Sequence, residues 1–257
     1  MNKPNFIKEN IDGIVLITFN HEKPTNPFTF DIQRELISFF QLAEEDNEIR
    51  AVILYGGLGR SFSAGGDFAE NIENNNPQDI AAKLNLVCDF YIELLKFSKP
   101  LICAVHKYAI GMGFQVAILG DYRIGTPETV FRMPELINGV AVPLGSAMTE
   151  FLYGRFIMQK ICFGCAKIPA QQCLDWHLLD EITDESALIT KAKAVAEKFA
   201  CYPVIPFRGS KKSANQRFID IINQVRQDTI DVHTATFMSG QHRQYMQHIL
   251  TKNKISV

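Results

Sequence analysis

Three features of the chain have the residue types and spacing that chemistry requires. Two adjacent glycines sit in 61-SFSAGGDFAE-70, directly after the β-branched run 50-RAVILYG-56. A second glycine-flanked turn, 109-AIGMGF-114, follows the apolar run 101-LICAV-105. Glycine lets the backbone approach a ligand closely and adopt positive φ, and a helix opening beyond such a turn aims unpaired N–H groups at whatever lies there. Either loop alone is what any tight strand-to-helix turn demands. Two that converge could supply the paired donors of an oxyanion hole, where removing one donor costs about 2.7–4 kcal/mol. The third feature is Glu135 in 131-FRMPELINGV-140, an acid after a proline in an apolar stretch, which taken alone is an ordinary solvated glutamate.

Positioning these groups falls to an alternation of elements. The pattern predicts strands over 13–19, 50–56, 101–105 and 122–125. Between them Ile32, Leu36, Phe39, Phe40 and Ala43 recur at helical spacing, as do Ile80, Leu84, Val87, Tyr91 and Leu94 ahead of Pro100, and a short helix is expected from Gly113. Strand and helix in turn predict a layered α/β fold with crossover connections. From about residue 143 the periodicity is helical, in 144–154, 155–164, 186–200 and 215–228. No Gly/Ser linker separates the parts, so an α/β core over 1–195 and a helical region over 196–257 are expected to form one continuous unit.

Composition removes several function classes. At 257 residues the chain can bury a large core, and 47% hydrophobic against 21% charged residues is the balance of a soluble globular protein. A formal net charge of −2 gives no electrostatic footprint for nucleic acid. The most apolar stretch, 101–120, is interrupted by His106, Lys107, three glycines and Gln115, so it does not read as a membrane span; with no signal-like segment in 1-MNKPNFIKEN-10, a cytoplasmic protein is expected. The six cysteines lie mostly in apolar periodic segments, as reduced core thiols do. The pair in 162-CFGC-165 has no second CxxC, and His242 and His248 lack the i, i+4 spacing of a helical metal site, so no metal is expected. Neither GxGxxG nor GxxxxGK[ST] is present, which argues against the standard nucleotide loops.

Taken together, F-S-A-G-G-D at 62–67, A-I-G-M-G-F-Q at 109–115 and M-P-E-L-I-N-G at 133–139 resemble the crotonase (enoyl-CoA hydratase/isomerase) superfamily in letters, order and spacing. The resemblance extends from K-P-T-N-P-F at 23–28 through the helical C-terminal third. It implies a crotonase-like spiral of repeated ββα units, trimers or hexamers built partly on the C-terminal helices, and coenzyme A thioester substrates. It also implies that the thioester oxygen lies between the backbone N–H groups of Gly66 and Met112.

Hydratases of this family use two glutamates to add water across a double bond. The second position is retained here as Glu135, whereas the first is Gln115, and a carboxamide cannot exchange protons near neutral pH. Within the superfamily, G-G-D-F, Y-A-I-G-M-G-F-Q and M-P-E-L resemble carboxymethylproline synthases of carbapenem biosynthesis. That resemblance implies decarboxylation of malonyl-CoA, addition of the enolate to pyrroline-5-carboxylate, a small imino acid, and hydrolysis of the thioester. It assigns Glu135 to the hydrolytic water, Gln115 to a neutral hydrogen-bonding wall and His233 to the amino-acid carboxylate. Around CoA it places Lys23, Thr25, Ser63, Ala64, Asp67 and Phe68. The chain departs from the synthase pattern at Val142 and Pro143 in the loop beyond Glu135. Two other outcomes remain open on these residues: a polyketide-type decarboxylase or dehydratase acting on carrier-protein thioesters, and a non-catalytic scaffold of the same fold.

Overall fold

The computed structural model describes residues 4–67, 76–240 and 242–243. Its strands are β1 (Phe6–Ile11), β2 (Ile14–Phe19), β3 (Ala51–Tyr55), β4 (Leu101–Val105), β5 (Tyr108–Ile110), β6 (Tyr122–Gly125), β7 (Val130–Arg132), β8 (Ile168–Pro169) and β9 (Glu181–Ile182). Its helices are α1 (Phe30–Glu45), α2 (Pro77–Lys96), α3 (Met112–Ala117), α4 (Pro143–Tyr153), α5 (Arg155–Met158), α6 (Ala170–Asp175), α7 (Glu185–Ala200) and α8 (Val204–Ser239).

The main sheet has the order β1-β2-β3-β4-β6-β9, with β1 and β2 antiparallel and the other neighbours parallel. Strands β3 and β4 are buried along their whole length, because helices cover both faces and every side chain meets apolar surface. On one face Val15, Ile17, Leu54 and Cys103 join the cores of α1 and α2. On the other, Leu16, Ile53 and Ile102 pack against Leu188, Ala192 and Ala196 of α7. Residue 195 falls inside α7.

Strand β1 lies outside the sequence expectation. Five of its six residues, in FIKENI, are exposed, since it forms a polar edge that blunts further strand pairing. The turn into β2 uses Asp12 and Gly13, both at positive φ, the backbone that a two-residue hairpin requires. The three-stranded sheet β5-β7-β8 is likewise absent from the sequence pattern, its strands being too short for periodicity to register.

Caps set where the helices begin. Thr29 accepts a hydrogen bond from the Ile32 N–H at the start of α1, and Asn76 accepts from the Asp79 N–H at 2.8 Å at the start of α2, which has Pro77 in its first turn. Helix α8 is longer than its sequence periodicity marks and crosses α2 and α4. Charge-assisted bonds pin its beginning: Arg208 to the Glu44 carboxylate at 2.6 Å, and Lys211 to Asp121 at 2.6 Å. Burial pushes the Glu44 carboxyl up, but hydrogen bonds from Ser98 and Arg208 outweigh it and hold it at about 2. So anchored, α8 carries Thr229, His233 and Phe237 over the ends of α2 and α3. Among the described residues no helix is long and apolar enough to cross a membrane.

Two helical glycines should respond in opposite directions to alanine. At Gly113 in α3 the added carbon would lie 2.3 Å from the Ser63 carbonyl oxygen, whereas at Gly209 in α8 it would meet nothing within 4 Å. Gly113→Ala is expected to destabilise by about 1–3 kcal/mol and Gly209→Ala to stabilise by about 0.5–1 kcal/mol, measured by urea unfolding.

Candidate active site

Backbone pairing brings the two glycine loops together. The Ser63 N–H donates to the Tyr108 carbonyl at 3.0 Å and the Ile110 N–H to the Ser63 carbonyl at 2.9 Å, so the first loop runs alongside β5. On its other side the Phe28 N–H donates to the Gly65 carbonyl and the Ala64 N–H to the Thr25 carbonyl, both at 2.8 Å. Gly65 has φ +99°, and a side-chain carbon there would lie 2.9 Å from the Ile110 carbonyl oxygen. Gly111 has φ +56°, and its added carbon would lie 3.9 Å from Gly65 Cα and 3.1 Å from Glu135 Oε1. Only glycine fits at these two places, where the loops and the glutamate meet.

Gly66 and Met112 both face a cavity of about 670 Å³. Met112 is the first residue of α3, so its N–H has no partner within the helix, and among the described residues no acceptor is set against it or against the Gly66 N–H. Two unsatisfied backbone donors beside two glycines can hold a carbonyl oxygen as it gains negative charge.

Glu135 stands at this junction. It follows β7 and Pro134, and its backbone carbonyl closes the turn after it by accepting from the Val140 N–H at 2.8 Å. Part of the residue reaches solvent, but its carboxyl is enclosed, and Oε2 has no hydrogen-bond partner. Burial pushes the carboxyl up to about 7, against a smaller downward pull from its own backbone N–H. It is therefore a base and an acid of comparable standing near neutral pH.

Gln115 is fixed in one orientation. Its Oε1 accepts a 2.6 Å hydrogen bond from the hydroxyl of Tyr91, a side chain buried completely on α2. Burial pushes the Tyr91 phenol well above its ordinary range, so it remains a donor. The amide nitrogen lies 3.8 Å from Met133 Sδ. His233 also lines the cavity, with Nδ1 2.8 Å from the Thr229 carbonyl one turn earlier. Burial pushes its pKa below the usual imidazole range, partly offset by the Thr229 and Ala141 carbonyls. The ring is thus held toward its neutral form, with the Thr229 and Ala141 carbonyls both at hand to accept from it.

The residues expected around CoA divide. Thr25, Ala64 and Asp67 line the cavity, and Lys23 reaches Asp67 at 3.1 Å. Ser63 is fully buried, and its hydroxyl accepts from the Gly65 N–H at 3.2 Å, bracing the loop from behind. Phe68 lies outside the described residues. The CFGC cysteines are buried, and burial pushes the Cys162 thiol up to about 12, far from a thiolate at neutral pH. Other residues at or beside the cavity carry no signal of function in the sequence, among them Tyr91, Arg132 and Lys167. Tyr91 stands there only as an apolar helical position, and Arg132 and Lys167 have no motif signal beyond the proximity of Arg132 to Glu135.

The family described as enoyl-CoA hydratase/isomerase matches residues 9–256. A carboxymethylproline synthase of Pectobacterium carotovorum subsp. carotovorum is 36% identical over 245 residues, which cover 95% of this chain and 98% of that one. Among solved structures, ThnE from S. clavuligerus superposes with a TM-score of 0.75 at 28% identity, covering 88% of this chain and all of the other (100%). An enoyl-CoA hydratase/isomerase from Mycobacterium paratuberculosis shares the fold, with a TM-score of 0.86 at 20% identity over 95% of this chain and 98% of its own. A match that runs nearly end to end, onto a cavity where two glycine loops and a buried glutamate converge, makes the chain a member of the enoyl-CoA hydratase/isomerase family, an enzyme of the crotonase superfamily acting on acyl-CoA.

Proposed function

We propose that the chain decarboxylates malonyl-CoA, adds the resulting enolate to C5 of pyrroline-5-carboxylate and hydrolyses the thioester to release carboxymethylproline. The observation that carries this reading is the amide of Gln115, tied through Oε1 to Tyr91, where a hydratase needs a second carboxylate. The relative that is 36% identical and bears the name carboxymethylproline synthase supports it.

The thioester oxygen docks against the N–H groups of Gly66 and Met112. The bond between the malonyl α-carbon and its carboxylate breaks, carbon dioxide leaves, and the electron pair settles on that oxygen as the enolate. The enolate carbon then bonds to C5 of the protonated imine, whose C=N pair moves to nitrogen. Finally water attacks the thioester carbon as Glu135 takes its proton, the carbon–sulfur bond breaks, and Glu135 returns that proton to the leaving sulfur, so that CoA departs as the thiol. Lys23, Thr25, Ala64 and Asp67 lie along the path proposed for the CoA arm. His233, expected at the amino-acid carboxylate, would pair with it in its protonated form, which burial disfavours. Self-association as a trimer or hexamer belongs to the same proposal, with exposed apolar side chains such as Phe156 and Ile205 as surface for it to cover.

Purified protein given malonyl-CoA and pyrroline-5-carboxylate is expected to release free CoA and a product with the mass of carboxymethylproline; absence of both sinks the proposal. Glu135→Gln is expected to slow thioester hydrolysis by about 10²–10⁴-fold and to let carboxymethylprolyl-CoA accumulate, as seen by mass spectrometry. The folded carboxyl titrates near 7 and an unfolded glutamate near 4.5, so the unfolded chain gives up its proton first. Keeping Glu135 buried therefore costs nothing below pH 4.5 and progressively more up to pH 7, reaching at most about 3 kcal/mol above it. The same variant is accordingly expected to be more stable than wild type at pH 8 but not at pH 4, measured by chemical unfolding. Tyr91→Phe should free the Gln115 amide to turn, leaving Oε1 unsatisfied at a cost of about 1–3 kcal/mol. Its ratio of coupled product to acetyl-CoA should fall below that of wild type; an unchanged ratio would show that the orientation of Gln115 is immaterial.

A further inference from the structure

We propose that Arg132 and Lys167 form a binding site in the cavity wall for the carboxylate of the small imino acid, an inference that rests on the reading under Proposed function. Both residues line the cavity. Arg132 ends β7, and β7 pairs with β8 in antiparallel fashion with Phe131 opposite Ile168. One step along the ladder therefore sets Lys167 opposite Arg132, where cross-strand Cβ atoms lie about 4.5–5.5 Å apart and like charges destabilise one another.

Arg132 is also held toward that segment, because its Nε donates to the Cys165 carbonyl at 3.0 Å. The terminal guanidinium nitrogens, and Lys167 Nζ, have no hydrogen-bond or ion-pair partner among the described residues. Glu135 is not their counter-ion: among the described residues no ion pair joins it to either cation, and its Oε2 has no hydrogen-bond partner. Two facing cations with free donors, turned to a cavity, call for an anion. A guanidinium fork beside an ammonium matches the two oxygens of a carboxylate.

Position selects among the anions available. Ile110 is the strand partner of Arg132 and stands two residues before Met112. With neighbouring strands about 4.8 Å apart and a rise of about 3.3 Å per residue, the Arg132 backbone is within about 10 Å of the Met112 N–H. A small amino acid whose ring carbon meets the enolate has its carboxylate within that span, whereas the phosphates of CoA lie a full pantetheine arm from the thioester. A malonyl carboxylate held by two cations would be stabilised before it leaves, which opposes decarboxylation. The imino acid is thus the substrate whose anion belongs here.

The test compares wild type with Arg132→Gln and Lys167→Gln. Each is assayed for kcat/KM on pyrroline-5-carboxylate and on 1-pyrroline, the same ring without the carboxylate. The preference for the carboxylated ring is expected to fall about 10–100-fold in each variant, the loss of one charge-assisted hydrogen bond. If the preference for malonyl-CoA over malonyl-pantetheine falls instead, the site takes a phosphate and the proposal is overturned. It is overturned equally if neither preference changes. Lys167 is exposed, so its variant carries the test should Arg132→Gln fail to fold. If wild type makes no coupled product, the reading under Proposed function has failed by itself. The carboxylate site is then read by ligand-observed NMR of L-proline on protein loaded with acetyl-CoA, where weaker binding in the variants supports it and equal binding, or none to wild type, refutes it.

Discussion

The approach of Gly65 to Gly111 fixes where everything else in the cavity must stand. Neither position tolerates a side chain: one faces the Ile110 carbonyl, the other Glu135 and its opposite glycine. Two bonds between Ser63 and β5, and one between Phe28 and Gly65, hold the loops at that separation, so the donors at Gly66 and Met112 are placed by sheet-like pairing rather than by side chains. Donors fixed by backbone need no reorganisation as charge develops, which is the condition for an oxyanion site to stabilise a transition state more than a ground state. The Ser63 carbonyl against Gly113 extends the same constraint into α3, and so to Gln115.

Burial then sets the charge inside. It raises Glu135 to about 7, raises Tyr91 well above its ordinary range and lowers His233, each toward its neutral form. Around neutral pH burial therefore holds these three groups back from full charge. In such surroundings the attraction of a new oxyanion to fixed N–H dipoles is stronger than in water. Gln115 completes this arrangement. In the proposed reaction an ionised carboxyl at that position would repel the enolate and a protonated one would quench it, whereas an amide whose oxygen is already bonded to Tyr91 does neither.

What the sequence makes legible follows from how each feature is built. Strands β3 and β4 are readable because both of their faces are covered, which forces continuous apolar runs, and α1 and α2 because one face must be apolar every third or fourth residue. Strand β1 hides because an edge needs no apolar face, and β5, β7 and β8 because two or three residues cannot show a period. In the cavity the glycines were visible, since a positive φ and a close approach leave few alternatives. Tyr91 was not: its spacing marks it as core, and nothing local indicates that its hydroxyl ends on an amide 24 residues later. Arg132 and Lys167 become neighbours only through the pairing of β7 with β8, which the letters do not encode locally.

Met112 shows how narrow the demand for glycine is. In Gly111-Met112-Gly113 the first residue turns the chain at positive φ, and the third lies against the Ser63 carbonyl, so neither can carry a side chain. The middle residue contributes its N–H, and an N–H is the same whatever stands on the α-carbon. Its side chain is therefore free to vary, and here it packs against the main core while also lining the cavity. A thioether there narrows the space beside the donor without adding a polar group, so it limits the room for water without competing for an oxyanion held there. The bulky residue between two glycines is thus compatible with the loop's geometry, and under the proposed reaction its consequence would fall on the choice between quenching the enolate and capturing it with carbon.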